Sequence, residues 1–166
     1  MAQLLPTAIM GRTGLEVTRL GYGTAHRRSM TDKQSETIHN AVLDAGINFI
    51  DTSDDYGNAE ELIGRYMAHR RSEFYLATKC GSSKSGSGHD WTVENVMRNL
   101  EQSLQLLKTD YVDVMQLHNP TVEECQQGNL VKALEEMCRL GKVRWRQHRT
   151  FHMKCGIPRS RESSRG

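Results

Sequence analysis

Four residues in this chain belong to types that transfer or steady a proton at a reacting centre: Asp51, Tyr56, Lys79 and His118. Asp51 follows the apolar run Ile47-Asn-Phe-Ile50, Lys79 follows Phe74–Thr78, and His118 follows Tyr111–Leu117. Each run reads as a short β-strand, so three of the four stand just past the end of a different strand. Tyr56 lies in the loop that leaves the first of them. Taken singly, each has a plain explanation: a capping Asp, a half-buried packing Tyr, a surface Lys, a structural His. The case for chemistry rests on all four converging at one end of a barrel.

The elements that must position them can be read along the chain. Gly11-Arg-Thr-Gly14 predicts a tight turn joining Thr7–Met10 to Leu15–Thr18 as a hairpin. Arg19–Thr24 is a short strand ending in glycines. Thr31 or Asp32 caps a helix in which Ile38, Ala41, Val42 and Ala45 share a face, stopped by Gly46. After the strand at 47–50, Glu60 to His69 reads as a helix presenting Leu62, Ile63, Tyr66 and Met67. The strand at 74–78 leads to the flexible loop Gly81–Gly88. Thr92 opens a helix carrying Val96, Leu100, Leu104 and Leu107. After the strand at 111–117, one helix runs from Glu123 to Leu140, closed by Gly141, and Lys142–Trp145 opens a further strand. Strand and helix alternate four times, which implies right-handed βαβ units and a parallel sheet. An open doubly wound sheet and part of a (β/α)8 barrel both fit. Gly21-Tyr-Gly23-Thr-Ala-His26 misses the last glycine of a dinucleotide fingerprint, and polar residues end several strands. Both observations favour the barrel.

The stretch Gly46-Ile-Asn-Phe-Ile-Asp-Thr-Ser-Asp-Asp-Tyr-Gly57, continued by Asn58-Ala-Glu-Glu-Leu-Ile-Gly64, resembles the signature of the aldo-keto reductase superfamily. Thr78-Lys79, Leu107–Pro120 and Gly141-Lys-Val-Arg144 match later motifs of that family in order and spacing. The style of the Asn48, Thr52 and Tyr56-Gly57 positions is similar to the branch of general reductases and potassium-channel β subunits. The resemblance implies an incomplete (β/α)8 TIM barrel of about four to five βα units, preceded by the hairpin. It implies reduction of an aldehyde or ketone by NADPH, or by NADH, with Tyr56 as the general acid. Lys79 would favour the phenolate of Tyr56 and so make it a better acid. Asp51 would hold Lys79, and His118 would orient the carbonyl. Gly23, Thr24, Asp51 and Asn119 would line the nicotinamide side.

Charged residues make up 25% of the 166 and hydrophobic residues 37%, as in a globular protein. No apolar run approaches membrane-spanning length and no secretory leader is evident, so a cytoplasmic protein is expected, with no membrane partner. Cys80, Cys125, Cys138 and Cys155 show neither a disulfide framework nor ligand spacing. Reduced thiols and no metal site are expected. From Arg144 onward there are six Arg and one Lys against Glu162 alone, a net charge of +6. The chain total is +2, so the preceding residues carry 2 − 6 = −4. Family-like pattern stops at the same place. Residues 1–145 therefore read as a partial barrel and 146–166 as a basic, irregular tail, expected to be disordered. The tail lacks aromatics enough for a nucleic-acid partner. A partial barrel would leave its first and fourth strands as open edges, which invites self-association. The alternative to an active reductase is an inactive truncated isoform that self-associates or pairs with a full-length relative.

Overall fold

The computed structural model describes residues 5–25, 31–83, 88–126 and 129–149. The chain opens with an antiparallel hairpin of β1 (Thr7–Ile9) and β2 (Glu16–Thr18). Five parallel strands follow: β3 (Tyr22–Gly23), β4 (Phe49–Asp51), β5 (Tyr75–Cys80), β6 (Val112–His118) and β7 (Val143–Arg149). The helices between them are α1 (Asp32–Asp44), α2 (Ala59–Tyr66) with a 3-10 turn at Ala68–Glu73, α3 (Val93–Leu107), α4 (Val122–Gln126) and α5 (Asn129–Arg139). The strands lie side by side in the order β3-β4-β5-β6-β7, with every pair parallel. That sequential order separates the two architectures left open by the sequence. A doubly wound sheet reverses its order at a switch point, whereas a barrel adds each strand beside the last. The fold is a partial (β/α)8 barrel, with five barrel strands among the described residues.

Local chemistry explains the elements. Thr31 and Gln34 form a reciprocal capping box at the start of α1, and the Thr92 side chain accepts from the Asn95 amide at the start of α3. Caps of this kind are each worth about 1 kcal/mol. In β6, all residues from Val112 to Leu117 are buried. That is the pattern of a parallel strand covered on both faces. Val96, Leu100, Leu104 and Leu107 of α3 pack into the core, as their spacing predicts. Gly64 of α2 has a specific reason to lack a side chain: an added Cβ would lie 2.0 Å from the Leu106 carbonyl oxygen. The helices α2 and α3 therefore touch backbone to backbone. At the N-terminal end of the sheet, Asp113 is fully buried and accepts from Arg71, Arg144 and the Leu76 amide. The Arg71 and Arg144 guanidinium carbons each lie 4.3 Å from the centre of the Tyr111 ring. This network ties the base of β5, β6 and β7 together.

Several expectations need adjustment. The buried face of α1 is Ser35, His39, Val42 and Leu43, while Ala41 and Ala45 are exposed. His39 displaces the expected face because Tyr22 and Tyr66 both pack on its ring. The helix after β4 ends at Tyr66, where the chain tightens into the 3-10 turn. The helix expected over Glu123–Leu140 is two, α4 and α5, with 127–128 outside the described residues. The last strand extends to Arg149 and pairs with β6 up to His118, four residues past the expected boundary at 145. The edges of the described sheet are accordingly β3 and β7, the first and fifth strands. The expected irregular tail from 150 onward lies outside the described residues, as do 84–87 of the expected flexible loop. Cys80 and Cys138 are free thiols. Among the described residues no helix is long and apolar enough to cross a membrane.

Candidate active site

The C-terminal ends of β4, β5 and β6 place Asp51, Lys79 and His118 together. Asp51 and His118 are the last residues of their strands and Lys79 is the last but one, so all three sit at strand ends rather than just beyond them. Parallel register makes this possible: Gly23 lies beside Asp51, Asp51 beside Ala77, and Lys79 beside Gln116. Side chains alternate along a strand, so residues two apart share a face while neighbours do not.

Lys79 is 4% exposed and its ammonium donates to Asp51 Oδ2 at 2.8 Å and to the Thr52 carbonyl at 2.8 Å. A buried ammonium needs such partners to remain charged. The ammonium also lies 4.7 Å from the centre of the Tyr56 ring, within cation–π range. Tyr56 is held by its own loop: its amide donates to the Ser53 carbonyl, and Gly57, at φ 63°, turns the chain into α2. The Tyr56 and His118 rings meet edge to face at 5.8 Å. The Ser53 hydroxyl lies 3.2 Å from His118 Nδ1. His118 is held below the ordinary imidazole range, first by burial and then by the Lys79 charge. Both influences favour the neutral imidazole over the cation.

The residues named for a cofactor wall are placed less uniformly. Gly23 is exposed beside Asp51, and an added Cβ there meets nothing within 4 Å. Asn119 is exposed in the left-handed region at φ 63°, a conformation Asn tolerates better than most residues. Thr24 is fully buried; its hydroxyl bonds to the Asp51 carbonyl and the Thr52 hydroxyl. It fastens β3 to the end of β4 and presents no surface to a ligand.

The structure adds residues that the sequence did not single out. Gln116, buried, donates its amide to Asp51 Oδ1 at 3.2 Å, so each oxygen of Asp51 has its own partner. Its position two residues before His118, on the same face of β6, was the available signal. Ser53 and its contact to His118 had no signal in the pattern. Beside the site, Asp54, Glu60, Arg98 and Asn99 help line a polar cavity of about 280 Å³. Glu60 accepts from the Thr78 hydroxyl at 2.5 Å, and burial pushes its carboxyl up to about 7. Among the described residues no group of His, Cys, Asp and Glu could hold a metal ion.

Residues 19–148 match the model of the aldo/keto reductase family. The NADP(+) aldo-keto reductase yakc of Schizosaccharomyces pombe is 31% identical over 153 residues, 85% of this chain and 44% of its own length. A protein of Oryza sativa described as a probable voltage-gated potassium channel subunit beta is 34% identical over 121 residues, 67% of this chain and 36% of its own. The holo form of an aldo-keto reductase from Bacillus halodurans superposes with a TM-score of 0.81 at 27% identity, covering 89% of this chain and 51% of that one. The chain thus spans about half the length of the curated relatives it matches. Since the strand order, the cluster at the strand ends and a match across most of the sequence all agree, this chain belongs to the aldo-keto reductase family.

Proposed function

We propose that this chain carries the proton-handling half of an NADPH-dependent reduction of an aldehyde or ketone. The observation that supports this reading is the Asp51–Lys79–Tyr56–His118 arrangement: a paired, buried ammonium against a phenol ring, with an imidazole edge to face with the same phenol and held below its ordinary range. Tyr56 gives its proton to the carbonyl oxygen. Lys79 stabilises the negative charge that the phenol oxygen then acquires, because its ammonium is buried and its field is poorly screened. Asp51, steadied by Gln116, keeps Lys79 in place. His118 donates a hydrogen bond to the substrate oxygen, which requires the neutral tautomer with its proton on the nitrogen facing the site. Nδ1 is then the acceptor, so the Ser53 hydroxyl, which lies 3.1 Å from Asp54 Oδ1 as well as 3.2 Å from Nδ1, must turn its one proton from Asp54 to His118.

The residues fit the nicotinamide end of a cofactor. The missing side chain at Gly23 leaves open surface beside Asp51, and the exposed Asn119 offers both an amide donor and an acceptor. When bound, a reduced nicotinamide supplies the hydride that no side chain can supply. The naming of yakc as an NADP(+) enzyme supports NADPH over NADH.

Titrating the chain with NADPH while following cofactor fluorescence tests the binding part. Reduction of a simple aldehyde by wild type and by Tyr56→Phe tests the chemistry. The variant is expected to lose about 10²–10⁴-fold in rate, the usual contribution of one positioned acid, while keeping its affinity for cofactor. A Tyr56→Phe rate within a few fold of wild type would remove Tyr56 from the mechanism.

A further inference from the structure

The loop between β5 and α3 brings two aromatic residues against the site that the reading above does not use. His89 lies edge to face with His118, ring centres 5.7 Å apart. Trp91 stacks on His89 at 5.2 Å with the rings within 4° of parallel. With Tyr56 on His118, four rings form a continuous row: Tyr56, His118, His89, Trp91.

The pair is built in rather than loosely draped. Gly81, at φ 124°, lies under the indole, and a Cβ there would come within 2.4 Å of two Trp91 ring carbons. Its conformation and its lack of a side chain are both required for the ring to sit where it does. Ser82 forms a β-bridge with His89. The Asp90 amide donates to the Gly81 carbonyl, and the Asn95 side-chain amide donates to the Asp90 and Ser82 carbonyls. The start of α3 therefore clamps both ends of the segment that carries the rings. His89 itself is exposed, and with Trp91, Glu124 and Leu130 it lines an open groove of about 660 Å³.

We propose that His89, held by Trp91, is a specificity-determining residue that receives the flat substituent of an aromatic ketone or aldehyde whose carbonyl lies at Tyr56 and His118. This rests on the reading of Tyr56 and His118 as the carbonyl site. Because His89 touches the His118 ring, it is within reach of a substituent on a carbonyl held by Tyr56 and His118. A planar aromatic group gains an offset or edge contact there that a short alkyl group cannot make. Because the wall is already ordered, little of that gain is lost to fixing side chains on binding.

The test is equilibrium binding by the full chain, measured by saturation-transfer NMR with acetophenone and 2-butanone, in wild type, His89→Ala and His89→Phe. All three must first show the same far-ultraviolet circular dichroism. Wild type is expected to bind acetophenone several-fold tighter than butanone. His89→Ala is expected to lose about three- to tenfold for acetophenone, the usual worth of one aromatic pair, with butanone unchanged. His89→Phe, which keeps a ring, is expected to retain the preference. Equal binding of the two ketones by wild type, an unchanged acetophenone affinity in His89→Ala, or a parallel loss for both ketones would each overturn the proposal. The reductase reading fails separately: His89-dependent acetophenone binding without any NADPH oxidation would leave this wall standing and remove the chemistry.

Discussion

Replacing Glu60 with glutamine is expected to stabilise the fold in alkaline solution and to change little in acid. Glu60 is 2% exposed on the inner face of α2. Burial is the largest influence on its carboxyl, opposed by the hydrogen bond from Thr78 and by the Lys79 charge, and reinforced by Asp54. The balance carries it from 4.5 in an unfolded chain up to about 7. Between those values the folded chain keeps a proton that the unfolded chain releases, so folding stability falls as pH rises through the interval. Below 4.5 both states are protonated and the effect vanishes; above 7 both are ionised and the cost is complete. At about 1.4 kcal/mol per pH unit, the full interval amounts to about 3 kcal/mol. Glutamine never ionises, yet its carbonyl can still accept from Thr78. Any packing cost of the amide is independent of pH and cancels in the comparison. Urea unfolding of wild type and Glu60→Gln, followed by circular dichroism at about pH 5 and about pH 8, reads the difference directly. The variant should gain at least about 2 kcal/mol relative to wild type between the two conditions. A stability difference that is the same at both would show that Glu60 ionises normally, and that the reasoning from burial is wrong.

Asp113→Ala removes the fully buried carboxylate that three donors share and strands Arg71, itself largely buried. Loss of one partner of a buried pair costs about 3–5 kcal/mol, so the urea midpoint should fall sharply; a change under about 1 kcal/mol would mean Arg71 finds other partners. Gly64→Ala forces a methyl to within 2.0 Å of the Leu106 carbonyl oxygen and should cost about 1–3 kcal/mol or more as α2 and α3 separate. An unchanged melting temperature would refute that close approach. His118 should titrate below 6.5 when its ring protons are followed by NMR, because burial and Lys79 both disfavour its cation. Its contribution to stability is therefore lost as pH falls below 6.5, where the unfolded chain takes up the proton first. A His118 titration above 6.5 would contradict the neutral donor assigned to it.

Much of the fold was legible in the sequence because its signals are local. A four-residue apolar run, a capping threonine, a glycine after a helix and a leucine every third or fourth residue each depend on neighbours within a turn or two. The strand–helix alternation and the placement of Asp51, Lys79 and His118 at strand ends follow from those signals. So does the barrel, once polar strand ends and a failed glycine fingerprint are weighed together. Errors arose where a distant partner overrode the local pattern. The face of α1 turns because Tyr22 and Tyr66 take up His39, a contact no helical period contains. The burial of Thr24, whose hydroxyl bonds to Thr52 and to the Asp51 carbonyl, likewise depends on residues far along the chain.

By itself, then, the sequence determined the alternation of strands and helices and which residues of acid–base type stand at the strand ends. Tertiary structure alone decided which strands are neighbours, and with that every contact that gives those residues a role. Lys79 meets Asp51 across 28 residues, and Gln116 meets the same carboxylate across 65. Those contacts exist because parallel register sets strand ends side by side, and register is chosen by the packing of the whole sheet against its helices. Burial follows the same rule: Glu60 and Lys79 are charged residues whose surroundings are supplied by other elements. Their unusual environments belong to the assembled molecule and to no local stretch of chain.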